Sequence, residues 1–189
     1  MRFAIADPPY LGRAALWYGG KGRNKVYAGR ACGRGDLATE YHPDAARWDD
    51  PSAHHDLMAE LEETYDGWAM AASAKTFAQI ATGIPARARI AVWHMPNSIP
   101  DGNRVRTAWE PVVVRMPDGR RAYSTGYAIP DVLTTAHPVA NFVGSKPDAW
   151  TRWVLDMLGY QPEHDTVDDL FPGGGGVTRA AQMLPLQAP

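Results

Sequence analysis

One cysteine, Cys32, is all that the 189-residue chain contains. That excludes an intramolecular disulfide and a zinc site built on paired cysteines. A lone thiol suits a reducing compartment, so a cytoplasmic protein is the expectation. Long apolar runs are missing too. No window approaches the roughly 20 residues that span a bilayer, and MRFAIADPPY is too short in apolar residues for a signal peptide. Net charge is nearly absent, at −2. A histone-like protein that holds nucleic acid by overall positive charge is thereby excluded. Metal-ligand patterns are lacking as well. No His-Glu-x-x-His occurs, His54 and His55 are adjacent, and His94, His137 and His164 are scattered.

What charge there is falls unevenly. Between Pro8 and Gly35 no acid occurs, while Arg13, Lys21, Arg23, Lys25, Arg30 and Arg34 do. From Asp36 to Asp66 the balance reverses, and Arg47 is the only base. The basic stretch is rich in glycine and carries Trp17, Tyr18 and Tyr27. A basic loop with aromatic rings suits a nucleic-acid backbone and its bases. The plainer alternative is a solvated loop whose charges pair with the acidic segment after it.

An apolar fraction of 45% and a charged fraction of 21% are ordinary for a globular protein. The length supports a single domain over 1–189 with its own core. Residues 2–6 read as a short buried strand, and 11–50 as a basic, glycine-rich loop region. Asp50-Pro51-Ser52 marks a helix start, with Pro51 or Ser52 near the cap. Leu57, Leu61, Tyr65 and Trp68 then follow at helical spacing, giving a helix over about 52–65. YDGWAMAAS reads as either a strand or a helix end. A helix over 74–82 stops at Gly83, and strands follow at 88–94 and 109–116. Residues 117–145 read as an irregular insertion. Pro147 to Leu158 forms a helix ended by Gly159, and the remainder reads as a strand, a glycine turn and a short helix. Strands alternating with helices predict an α/β sandwich around a mostly parallel sheet. Trp68, Trp93, Trp150 and Trp153 occupy apolar positions and are expected in its core.

Two short stretches carry chemistry. FAIADPPYLG, residues 3 to 12, runs an apolar strand into Asp7, Pro8, Pro9 and Tyr10. VDDLFPGGGGVTRAA places a glycine turn between a strand and a helix, where a ligand can approach the backbone closely. No Lys-Ser/Thr follows these glycines, so the turn is not a Walker loop, and Thr178 breaks the dinucleotide fingerprint.

Together, DPPY at Asp7–Tyr10 and DLFPGGG at Asp169–Gly175 resemble the two signature motifs of amino-group DNA methyltransferases. Their order, catalytic motif first and cofactor motif last, resembles the circularly permuted class, including its small phage and bacterial members. SKPDAW, from Ser145 to Trp150, is similar to the cofactor-side segment of that class. The resemblance implies a Rossmann-like methyltransferase sandwich and S-adenosylmethionine as cofactor. It implies methyl transfer to an exocyclic amine of a nucleic-acid base, adenine in DNA first and RNA second.

The residue types suit that chemistry. A base amine has its lone pair delocalised into the ring and is a poor nucleophile. The Asp7 carboxylate and the Pro8 carbonyl can each accept one of its hydrogens, and the fixed φ of Pro8 and Pro9 helps aim that carbonyl. Tyr10 can stack on a base taken out of its helix. On the cofactor side the resemblance implies Asp7, Ser145, Lys146, Asp169, Phe171, Gly173 and Gly175. Phe171 would lie against the adenine or methionine part, and Ser145 or Lys146 would hold the carboxylate. Substrate contact is expected from Arg13, Trp17, Tyr18, Lys21, Arg23 and Lys25, with Arg104, Arg106, Arg120 and Arg121 as further candidates.

The chain departs from the family at one place. After its glycine motif the family has a helix and then a strand ending in an acid that grips the cofactor's ribose. No Asp or Glu follows Gly176 here. The sheet is therefore expected to stop short at one edge. Asp131 and Asp36 are candidate replacements, and a homodimer or another partner chain could complete the site. The competing reading is a catalytically degenerate protein that binds S-adenosylmethionine or nucleic acid.

Overall fold

The computed structural model describes residues 1–19, 43–98, 103–120, 128–138, 144–173 and 175–182. Arg2–Ala6 forms β1, and Phe3 to Ala6 are fully buried. A strand covered on both faces reads as an unbroken apolar run, which is how it stands in the sequence. Helix α1, Ala14–Tyr18, follows, and the Asp49 carboxylate accepts hydrogen bonds from the Ala14 and Ala15 N–H groups. Asp49 ends a short 3-10 helix, Ala45–Asp49, that leads into α2, Pro51–Thr64. Asp50 caps α2, since its side chain accepts from Ser52 N–H and Pro51 opens the first turn. The cap stands within the expected Asp50-Pro51-Ser52 start, at the residue whose carboxylate can accept an orphan N–H, since proline has none to offer.

YDGWAMAAS resolves as β2, Gly67–Ala71, buried along its whole length. The helix expected over 74–82 is shorter. It comprises α3, Phe77–Ile80, and a 3-10 turn, Ala81–Gly83. Strands β3, Arg89–His94, and β4, Trp109–Arg115, stand where the sequence puts them. The stretch expected to be irregular after residue 117 holds one more strand, β5, Val132–Thr134. It is three residues long and half exposed, so it leaves almost no apolar period to read. Helix α4, Asp148–Leu158, strand β6, Thr166–Asp169, and helix α5, Gly176–Gln182, complete the order.

Among the described residues the strands form one sheet in the order β5-β3-β4-β2-β1-β6. β1 is parallel to both β2 and β6, and β3 is parallel to β5. β4 runs against β2 and β3, so every strand but β4 points the same way. Helix α4 covers one face, packing Trp150, Val154, Leu155 and Leu158 against Phe3, Ile5, Val112 and Val114. Helix α2 covers the other, packing Leu57, Met58 and Leu61 against Ala4, Trp68, Met70 and Val113. Each fully buried side chain of this size contributes about 1.5–3 kcal/mol. The four expected core tryptophans, Trp68, Trp93, Trp150 and Trp153, are all buried. The result is the α/β sandwich around a mostly parallel sheet that the alternation predicts.

Two features of this sheet position the site. First, the chain leaves β1 toward the α2 face and leaves β6 toward α5 on the α4 face, where Val177 joins the core. Neighbouring parallel strands whose chains depart to opposite faces open a crevice at their carboxyl ends. Second, β6 ends the sheet, and among the described residues no strand flanks its outer side.

Candidate active site

β1 and β6 pair in register up to Ile5 opposite Asp169, and Leu170 N–H donates to the Ile5 carbonyl. Asp7 and Asp169 therefore emerge side by side at the crevice. The parallel ladder brings together two motifs that lie at opposite ends of the chain. Beyond Asp169 the backbone turns through Gly173 and Gly175, whose φ values of 42° and 71° lie in the left-handed region. That region is costly for a residue with a Cβ.

The centre of the site is a half-buried charge cluster. Lys146 Nζ donates to both Asp7 oxygens, at 2.8 and 2.7 Å, and to Tyr10 Oη at 3.0 Å. Tyr10 Oη in turn donates to Glu110 Oε2 at 2.6 Å, and Glu110 lies 3.6 Å from Lys146 Nζ. Burial pulls the Lys146 ammonium toward neutrality, but the Asp7 and Glu110 carboxylates outweigh it and hold its pKa above the ordinary value. Burial, together with the charges of Glu110 and Asp7, pushes the Tyr10 phenol well above its ordinary range. Asp7 and Glu110 keep 23% and 17% of their side-chain surface exposed, against 8% for Lys146, so the carboxylates are reachable from solvent.

Asp169 is different. Its Oδ2 is buried without a hydrogen-bond partner. Burial pushes its pKa up, the Phe171 N–H opposes this, and the nearby Asp7 charge adds to the rise. A buried, unpartnered carboxylate oxygen beside a glycine turn is an acceptor waiting for a donor.

Glu110 was not legible as a site residue. It sits in WEPVVV, which reads as a core strand. Because β4 runs backwards, its first residues reach the same end of the sheet as the last residues of β1 and β6. Opposite Glu110 stands Trp93, whose ring is stacked by His137 at 5.8 Å and 21°. Asn97 clamps the His137 backbone through both its N–H and its carbonyl.

The remaining expected residues divide clearly. Tyr18 stands by the cluster, with its phenol beside Gly144 and electrostatically coupled to Lys146 and Tyr10. Ser145 is half-buried directly before Lys146. Arg13 is exposed at the start of α1. Pro8 is buried and Pro9 half-buried behind Asp7. Phe171 turns to the α2 face, where its ring meets Trp48 edge-on at 5.2 Å. The Trp17 side chain, Lys21, Arg23, Lys25, Asp36 and Arg121 lie outside the described residues. Arg120 is not near the crevice. It pairs with Asp165 at the amino end of β6. Asp131 opens β5 at the far edge of the sheet, the wrong side for a ribose beside β6. Among the described residues no group of His, Cys, Asp or Glu is arranged for a metal, and no helix is long and apolar enough to cross a membrane.

No family model matches the chain, and no curated protein matches it. Solved structures do. The crystal structure of the M1.HpyAVI–SAM complex superposes with a TM-score of 0.57. The alignment covers 96% of this chain and 76% of that one, at 13% identity. At that identity the likeness establishes the fold.

Proposed function

We propose that the chain is an S-adenosylmethionine-dependent methyltransferase acting on an exocyclic amine of a nucleic-acid base, with adenine in DNA as the first substrate. The observation that carries this reading is the meeting of Asp7 and Asp169 at the switch point of the sheet, each with its full motif. The SAM complex of the structural neighbour supports the choice of cofactor.

The residues present fit that cofactor. The unpartnered Oδ2 of Asp169 suits its amino group, and the Gly173–Gly175 turn lets the backbone approach it. Ser145 is assigned to its carboxylate, and Lys146 Nζ is held by Asp7 and Tyr10 instead. When bound, the cofactor supplies an activated methyl group on a sulfonium, so no covalent enzyme intermediate is required. The chain's task is positioning. The Asp7 carboxylate accepts from the amine, and the Pro8 carbonyl is the second acceptor. Tyr10, pinned through its hydroxyl to Glu110, presents its ring from a fixed position. Substrate backbone contact is assigned to Arg13, Trp17, Tyr18, Lys21, Arg23 and Lys25.

Calorimetry with S-adenosylmethionine tests the reading first, and absence of binding at millimolar cofactor would sink it for the isolated chain. Methyl transfer to DNA against RNA, followed by mass-spectrometric base analysis, then decides the substrate. Binding without transfer to either would favour the degenerate, non-catalytic alternative.

A further inference from the structure

Both Asp7 oxygens are already taken by Lys146 Nζ. An incoming amine must therefore displace an ammonium from the carboxylate it needs. That ammonium is nearly enclosed, with 8% of its side chain exposed, so water cannot take over its charge. Breaking a buried ion pair by withdrawing one partner is strongly unfavourable. A second buried anion removes the difficulty, and Glu110 is placed to be it.

We infer that Glu110 is a positioning residue that takes the Lys146 ammonium over from Asp7 when a substrate amine docks. The inference rests on the reading of this crevice as an amine-methylating site. Lys146 Nζ has only to close 3.6 Å to hydrogen-bond distance. Tyr10 Oη, bonded to both Lys146 and Glu110, bridges the two positions. The rings of Tyr10 and Trp150, at 5.2 and 5.8 Å, flank the ammonium from β1 and α4. The groups that face Lys146 are thus Asp7 and Tyr10 after β1, Tyr18 on α1, Glu110 on β4 and Trp150 on α4. Asp7 and Glu110 are the carboxylates among them. The handover changes no net charge in the site, and it leaves Asp7 free to accept from the amine.

The test has two arms. In the first, Lys146 is titrated by NMR in protein labelled at lysine Cε, with no cofactor or DNA present. In Asp7→Asn the ammonium moves to Glu110 and its pKa stays in the lysine range. In the double variant Asp7→Asn/Glu110→Gln it loses both anions, and its pKa drops by about two units or more. Equal values in the two variants would overturn the handover. In the second arm, Glu110→Gln is assayed on duplex DNA with S-adenosylmethionine. Transfer falls roughly tenfold or more at neutral pH with cofactor affinity retained. Glu110→Asp restores part of the rate. A wild-type rate in Glu110→Gln would overturn the proposal even where the double variant misfolds. A wild-type chain that binds no cofactor would refute the function, and the titration would still decide the handover.

Discussion

Asp7 and Asp169 carry the same side chain at the ends of neighbouring parallel strands, and their surroundings give them opposite roles. Asp7 is matched by an ammonium, whereas Asp169 is half-buried with one buried oxygen unmatched. The pKa of Asp169 is raised in the fold, first by burial, so folding favours its protonated form. Its contribution to stability is present at low pH and is lost as pH rises through the raised value. In the free protein one oxygen of this carboxyl group has no donor, and a bound ligand can supply one. Asp169→Asn is therefore expected to raise the melting temperature of the free protein. The same change should weaken S-adenosylmethionine binding about tenfold or more, since it removes a charged acceptor. Thermal unfolding and calorimetry on one preparation check both directions. Asp7→Ala should act in the opposite sense. It removes the Lys146 partner, lowers stability and abolishes methyl transfer, while the Asp169 side of the cofactor site remains. Retained transfer in that variant would refute the role given to Asp7. These two aspartates were legible because each belongs to a short contiguous motif. Glu110 was not, because its place depends on the direction of a strand a hundred residues away from Tyr10.

At the scale of elements, what the sequence announced was what local chemistry decides. The helix of α2 could be read from Leu57 and Leu61 and from the prolyl start, and its true cap is the acid just before that proline. Asp50 binds the Ser52 N–H at 2.9 Å, which also holds its pKa below the ordinary value. Asp50→Ala removes the acceptor of the Ser52 N–H and is expected to lower the melting temperature. An unchanged melting temperature would show that α2 is held by packing alone. The strands β2 and β4 lie at the middle of the sheet, and their apolar runs could be seen. Strand β5 could not be seen, because it is half exposed and is defined by pairing with β3 rather than by its own residues. The direction of β4 is likewise a property of the sheet.

At the scale of the whole molecule the two ends of the parallel strands do different work. The carboxyl end holds the crevice, and the amino end holds a tie. Arg120, just past β4, grips the Asp165 carboxylate with two guanidinium nitrogens and stacks over Phe3 of β1. The N-terminal ammonium donates to the same carboxylate at 2.8 Å, and Gln161 N–H adds a further bond. Asp165 immediately precedes β6, so the tie fastens the outermost strand to the rest of the sheet. Among the described residues β6 has a strand neighbour on one side only, and Asp169 is carried by that strand. Burial alone would raise the Asp165 pKa, but the bonds from Arg120, the terminal ammonium and Gln161 lower it from 3.8 to about 2. A depressed folded value means stability that is complete above the unfolded pKa and is lost as pH falls through the folded one. The protein should therefore lose stability between pH 3.8 and about pH 2 through this residue. Asp165→Asn leaves Arg120 without its anion and should cost on the order of 3 kcal/mol at neutral pH. For a chain of this length that is about 6 to 12 °C in melting temperature. The same variant should flatten the acid limb of the stability curve, because the group that titrates there is gone. Melting curves of both proteins across that pH range decide the matter: an acid limb equally steep in Asp165→Asn would assign the proton uptake to other carboxylates and remove the tie from its role in holding β6.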